Sequence, residues 1–307
     1  MGPAEWAMLL LLSVVWGGAF FFYKVLDEAG LPPFTIVLGR VGGAALVLLP
    51  LVALSGRTMP RSWMVWRSLF ILGALNNVIP FALIILGEKQ IDSGLASVFN
   101  ATTPMFTALI AHASTRDEKL TPPRIAGVVL GIIGVVLLIG PAVLRGFNLT
   151  SAAQLACVGA AVSYGFAAVY ARRFAKIGVD PLVLSTGQLC ASVVLALPLA
   201  LGVEHPLSTV HGLGATTWLA WLGLALPSTA LAYVLYFRIL ARAGATNAAS
   251  VTFLVPWSAV LLGTLVLHER LATSTIVGML VIFAGLAVLD GRLVASLRAR
   301  AQSLTTS

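Results

Sequence analysis

Ten predominantly apolar stretches mark this chain, each near the roughly 20 residues that a helix needs to cross a bilayer. They span approximately 5–23, 33–54, 65–86, 93–112, 123–143, 152–171, 182–202, 215–237, 245–267 and 272–290. No soluble domain of this size has an interior able to hide ten such segments, so the solvent for most of the chain is lipid. Only 10% of the 307 residues are charged, against about 25% in a soluble domain. Between the stretches lie short joints with strong breakers: Gly30-Leu31-Pro32-Pro33, Ser55-Gly56-Arg57, Thr121-Pro122-Pro123 and Asp180-Pro181. None is long enough for a separate soluble domain. The first stretch has only Glu5 as a charge and no usual cleavage site, and it reads as an uncleaved first helix. The expected fold is an all-α integral membrane protein with ten transmembrane helices.

Basic residues test that count. One set of alternate loops and ends collects fourteen of them: Arg57, Arg61, Arg67, Arg116, Lys119, Arg124, Arg172, Arg173, Lys176, Arg238, Arg242, Arg292, Arg298 and Arg300. The other set has four, Lys24, Lys89, Arg145 and Arg270, and Arg40 stands inside a helix. A missed or invented span would scramble this alternation. By the positive-inside rule both termini are expected in the cytoplasm of a cell whose cytoplasmic (inner) membrane holds the protein. The asymmetry also accounts for the net charge of +8, so no nucleic-acid partner is expected.

The chain repeats itself. Gly94–His112 is matched by Asn247–His268: Ala96-Ser97-Val98 answers Ala249-Ser250-Val251, Pro104 answers Pro256, and Glu118-Lys119-Leu120 answers Glu269-Arg270-Leu271. In the first copy one extra residue separates proline from glutamate, and Asp117 is an alternative match for Glu269. The halves are read as 1–146 and 147–307, the second ending in a short basic tail. Five helices is an odd number, so the second half is expected to enter the membrane upside down, giving two inverted repeats around a midplane cavity. The prolines are expected to bend their helices there as gates, or to act as static kinks. Gly127, Gly131 and Gly134 in the fifth stretch, and Gly278 and Gly285 in the tenth, mark closely packed helix faces. Whether these faces meet within one chain or between chains is open, and the expected state is a monomer or a weak homodimer.

Polar and aromatic residues at membrane depth are the candidate binding residues, because an amide or hydroxyl in hydrocarbon must face protein or water. They are Trp16 and Phe20 in the first helix, Asn76, Asn77 and Phe81 in the third, and Asn100 and Thr103 in the fourth. Ser163 and Tyr164 in the sixth, Tyr233 in the eighth, and Phe253 and Trp257 in the ninth complete the set. For the asparagines, cavity lining and interhelical bonding are equally open. Gln188, Ser228, Thr229 and Tyr236 are further polar groups at depth. Trp6, Trp63, Trp66 and Trp218 lie at helix ends and read as interfacial anchors. Arg40, between glycines, either snorkels to the surface or takes part in gating or in contacting a carboxylate. Glu88 and Glu269 end their helices on the basic-poor side, solvated or paired with Lys89 and Arg270. No carboxylate lies mid-span, which favours neutral or zwitterionic cargo moving by facilitated diffusion; coupling through a border glutamate such as Glu88 stays open.

His112, His205, His211 and His268 have no metal-ligand spacing, and no phosphate loop, nucleophile elbow or catalytic carboxylate pair is present. No enzyme, metal or cofactor is expected. Cys157 and Cys190 fall in apolar runs and read as small hydrophobes.

Trp16-Gly17, Arg40, the run from Pro104 to Glu118, and Pro256 through His268-Glu269-Arg270-Leu271 to Gly278 together resemble the drug/metabolite transporter superfamily, in its ten-helix family of two EamA-type repeats. The likeness covers about residues 5–290. It implies an alternating-access carrier, and the character of the chain is similar to the YddG-type exporters of amino acids, including aromatic ones and methionine. Small multidrug-resistance relatives use a glutamate within the span of their first helix, where this chain has none, Glu5 standing at its very start. The other readings left open are a broad drug, nucleoside or nucleotide-sugar carrier, with or without proton coupling, and a non-transporting scaffold or receptor.

Overall fold

Length and apolarity are realised as helices throughout. The computed structural model describes residues 2–115, 118–140, 148–270 and 272–291, and among these no strand occurs. Ten helices are long and apolar enough to cross a membrane. They are α1 (Pro3–Glu28), α2 (Pro33–Leu54), α3 (Trp63–Glu88), α4 (Ser93–Ser114) and α5 (Pro122–Ile139), followed by α6 (Leu149–Lys176), α7 (Pro181–Glu204), α8 (Ala215–Ala243), α9 (Asn247–Leu265) and α10 (Thr273–Asp290). Arg116, Asp117, Arg145, Leu271 and the basic tail with Arg292, Arg298 and Arg300 lie outside the described residues, as does the boundary at 146/147.

Local chemistry sets the starts. Proline opens α1, α2, α5 and α7, where its missing N–H has no intrahelical partner to lose. Asp180 caps α7 by accepting from the backbone N–H groups of Leu182 and Val183, and Asn148 caps α6 by accepting from Ser151.

The helices bend in two ways. Wide turns interrupt α3 at Ala74–Val78, α7 at Ala200–Glu204 and α8 at Leu226–Leu231. Each lies beside a proline (Pro80, Pro198, Pro227), whose ring removes a normal helix bond and leaves a longer-range one to form. α4 and α9 also break, at different places relative to their matched prolines. α4 breaks at Ala101-Thr102, and Pro104 occupies the first turn of the segment that follows. α9 breaks at Ser250, and Pro256 lies within the continuous helix Val251–Leu265. The two prolines are thus matched in sequence but do not mark matched bends.

The glycine faces meet inside one chain. A Cβ on Gly285 would lie 2.7 Å from both the Gly127 carbonyl oxygen and the Gly131 nitrogen, and one on Gly134 would lie 3.1 Å from the Gly278 oxygen. Bare glycine is what lets α5 and α10 approach backbone to backbone. Gly131 also makes room for Met105 of α4.

Contacts at the two ends of the bundle sort the helix termini into two sets. At one end Glu204 of α7 accepts from Phe34 N (2.8 Å), Thr35 N (2.7 Å) and Thr35 Oγ1 (2.9 Å), capping α2. Glu269 accepts from Ser93 N (2.8 Å) and Gly94 N (3.1 Å), capping α4. Lys89 pairs with Asp27 at 3.5 Å beside them. At the other end Arg57 pairs with Asp180 (2.9 Å), and Arg172 with Glu118 (2.5 Å). Glu269 is thus a helix cap, not the partner of Arg270, and Lys89 binds Asp27 rather than Glu88.

Gly285→Val should lower the stability of the solubilised protein by about 1–3 kcal/mol, the usual cost of overpacking. Gly42→Ala, with nothing within 4 Å of the new Cβ, should leave it nearly unchanged. Thermal unfolding monitored by size-exclusion chromatography measures both.

Candidate functional site

The bundle encloses a cavity of about 770 Å³. Its mouth carries Glu118, Lys119, Arg124 and Asp290, all at the end that holds the Arg172–Glu118 pair. From there it runs inwards between aromatic walls, Trp16 and Phe20 of α1, Tyr164 of α6, Tyr233 and Tyr236 of α8 and Phe253 of α9, to a floor that includes Arg40, Tyr23, Phe81 and Ile84. The rings support one another: Trp16 lies 5.7 Å from Tyr236, and Phe81 lies 6.4 Å from Tyr23 and 6.5 Å from Tyr164. At the opposite end the caps from Glu204 and Glu269 and the Asp27–Lys89 pair hold the helices together.

Arg40 does not snorkel. It is 6% exposed, and its guanidinium sits 3.7 Å from the centroid of Phe81. Nε donates to Thr229 Oγ1 at 2.8 Å and Nη1 donates to the Tyr23 hydroxyl. Among the described residues no carboxylate lies within ion-pairing distance of it. The wide turn in α8 prepares this site: it frees Thr229 to donate its own hydroxyl to Leu224 O (2.9 Å) while accepting from Arg40. Such turns recur at functional sites because they shift side-chain register by one position.

A second polar cluster lies on the wall formed by α3, α7 and α8. Asn76 Nδ2 donates to Gln188 Oε1 (3.0 Å) and to the Tyr233 hydroxyl (3.4 Å). Tyr233 donates to Asn77 Oδ1 (3.3 Å), and Asn77 Nδ2 donates to Ser192 Oγ (2.9 Å). Elsewhere in the lining, Asn100 Oδ1 and Ser228 Oγ are buried with no hydrogen-bond partner among the described residues. Below its mouth the cavity therefore has one buried cation and apolar rings, with unpartnered oxygens among its lining residues.

Of the residues singled out from sequence, Trp16, Phe20, Asn76, Phe81, Asn100, Thr103, Tyr164, Tyr233 and Phe253 line the cavity, together with Arg40, Pro104 and Pro256. Three do not. Asn77 is fully buried behind the wall in the network just described. Ser163 donates to Leu75 O at 2.7 Å and ties α6 to α3. Trp257 is 46% exposed on the outer surface, stacked on Phe283 of α10 at 5.5 Å. Tyr23 was missed because the apolar run ends beside Lys24, which suggests an interface. Its spacing from Trp16 and Phe20 (i, i+4, i+7) is the helical signal that places it on their face. Glu88, expected to be solvated or paired, is fully buried.

Among the described residues, ten membrane-length helices surround a polar-floored, aromatic-walled cavity, the architecture of a multi-pass membrane protein. The family model described as the EamA-like transporter family matches residues 5–140 and again 151–289, and the chain belongs to that family. Similar proteins include Protein PecM of Dickeya dadantii, 26% identical over 95% of this chain and 94% of its own length. The uncharacterized transporter YoaV of Bacillus subtilis is 25% identical over 91% and 94%. The uncharacterized inner membrane transporter YedA of Escherichia coli K12 is 27% identical over 83% and 80%. A solved crystal structure shares the fold with a TM-score of 0.62 at 20% identity, covering 93% of this chain and 98% of that one. The chain is thus a membrane transporter by family.

Asn77→Ala removes bonds to Ser192 and Tyr233 within a closed wall, and should cost about 1–3 kcal/mol of stability. Asn100→Ala, whose oxygen has no partner, should cost much less. Thermal unfolding of the two variants in detergent checks the contrast.

Proposed function

We propose that this protein exports amino acids, aromatic ones and methionine among them, across the cytoplasmic membrane by alternating access. In this reading the two five-helix halves form inverted repeats, both termini are cytoplasmic, and the basic mouth of the cavity faces the cytoplasm. The closed, capped end opens in the other half of the cycle. Transport is facilitated diffusion in whichever direction the gradient runs, with export the physiological one.

The observation that carries the substrate class is Arg40. A guanidinium held out of water with no carboxylate partner among the described residues favours a cargo that supplies one. The unpartnered Asn100 oxygen and the faces of Trp16, Tyr164 and Tyr233 suit an ammonium group, by hydrogen bonding and cation–π attraction. The remaining aromatic wall suits an apolar side chain, and the volume is in the range of small-molecule sites. Binding roles go to Trp16, Phe20, Asn76, Phe81, Asn100, Thr103, Tyr164, Tyr233 and Phe253. Pro104, in the turn that follows the break in α4, and Pro256, within the helix that follows the break in α9, both line the cavity and are assigned to the moving segments.

Purified protein in liposomes should accelerate uptake of radiolabelled phenylalanine and methionine. Arg40→Gln should lower the rate at low substrate concentration about tenfold or more, since a hydrogen bond to a charged group is worth about 1.5–3 kcal/mol. Trp257→Ala should transport normally. Phenethylamine, which keeps the ring and ammonium of phenylalanine but lacks the carboxylate, should compete poorly. Equal transport of this amine would replace the amino-acid reading with that of a broad drug, nucleoside or nucleotide-sugar carrier, and no accelerated uptake of any solute would favour a scaffold or receptor.

A further inference from the structure

One turn beyond the cavity floor, α3 ends in a carboxylic acid that substrate binding does not use. Ile84 lines the floor, and Glu88, four residues on, is fully buried with neither carboxyl oxygen hydrogen-bonded among the described residues. The other acids at this end are differently placed. Asp27 pairs with Lys89, Glu204 and Glu269 receive backbone N–H groups, and Glu28 is exposed. Glu88 is faced by Lys24 and Asp27 of α1, by Glu269 beyond α9, by the buried thiol of Cys157 in α6, and at greater depth by Tyr23. Asp92 stands at the start of α4; partial burial, and then the nearness of Glu269, push its carboxyl above the usual carboxylate range. Lys24 spends a donor on the backbone carbonyl of Glu88 at 2.8 Å, not on its side chain. Arg40, from α2, is bonded to Tyr23 and Thr229.

A charge in this position would have one nearby cation, several like charges and no donor, and an ionised carboxylate without donors costs several kcal/mol to bury. A neutral carboxyl avoids most of that cost. We infer that Glu88 is a proton-binding site, loaded while the cavity opens at its basic mouth and emptied to water when the opposite end opens. The Glu88 O–H bond breaks, the proton passes to water on that far side, and it returns by the same route before closure. No net proton crosses, so facilitated transport is retained, but the balance between the two forms follows the pH of the far side. The inference rests on the alternating-access reading above.

Its direction follows from linkage. Open to water, a glutamate ionises near about pH 4.3. Above that pH, while the closed form keeps its proton, the two forms differ by one bound proton. Raising the pH then favours the far-side-open form by up to about tenfold per pH unit, and acidification favours the form described here.

Two measurements on the full chain in lipid nanodiscs test it, without any cargo. Infrared spectra at neutral pH should show the carbonyl stretch of a protonated carboxyl; it should vanish in Glu88→Gln and persist in Asp92→Asn. Spin labels on cysteines replacing the exposed Gln90 and Ser274, with Cys190 changed to alanine and Cys157 left buried, should report two distances at the far end. Their ratio should shift with pH in otherwise wild-type protein and stay flat in Glu88→Gln, fixed on the closed form. Absence of the infrared band in wild type overturns the inference even where the variant fails to fold. So does an unchanged pH dependence in Glu88→Gln. A band that is present beside one invariant distance at every pH would remove the alternation, and with it the linkage, while leaving the buried proton in place.

Discussion

Much of this bundle is arranged so that one guanidinium can stay out of water. Arg40 is buried and, among the described residues, has no carboxylate partner, so its stabilisation comes from neutral groups: the Phe81 face, the Tyr23 and Thr229 hydroxyls and the nearby Ser228 carbonyl. Those groups belong to α1, α3 and α8, and each helix must hold its register for the site to exist. The wide turn in α8 presents Thr229, and the one in α3 presents Asn76 to the cavity while turning Asn77 into the wall. Neutral dipoles hold a cation in low dielectric without cancelling its charge, which leaves its attraction for an anion available.

A buried arginine and a buried glutamate lie at successive depths in the interior. Arg40 closes the floor of the cavity, and Glu88 lies one turn beyond it towards the capped end. Tyr23 and Lys24, adjacent on α1, touch both places: Tyr23 accepts from Arg40, and Lys24 donates to the backbone carbonyl of Glu88 at 2.8 Å.

How much of this was legible in the sequence depended on the physics behind each signal. Helix number and the two-fold internal match were legible because membrane thickness and repeat spacing leave direct marks on the chain. The cavity walls were largely legible too, since a tryptophan or asparagine at membrane depth must find a protein or water partner. What periodicity could not decide was which side of the wall a residue takes. Asn76 and Asn77 are adjacent, and only a wide turn, set up by Pro80, assigns one to the cavity and the other to Ser192. Trp257 looked like a wall residue because it is an aromatic at membrane depth; the uninterrupted helix through Pro256 turns it outwards instead. Glu88 looked solvated because it ends an apolar run, and its burial is set by neighbouring helices that no local pattern records.

The caps on α2 and α4 have a consequence for synthesis. Both helices belong to the first half of the chain, yet the carboxylates that satisfy their opening N–H groups, Glu204 and Glu269, come from the second. A ribosome delivers α4 well over a hundred residues before it delivers Glu269. During that interval the start of α4 has water or lipid headgroups for company, and the end of the bundle that Glu269 fastens stands loose. Closure at that end is therefore a late event in the birth of the molecule, completed only when the ninth helix has been laid down, and a chain cut after its fifth helix would carry the seats of the latch without the latch.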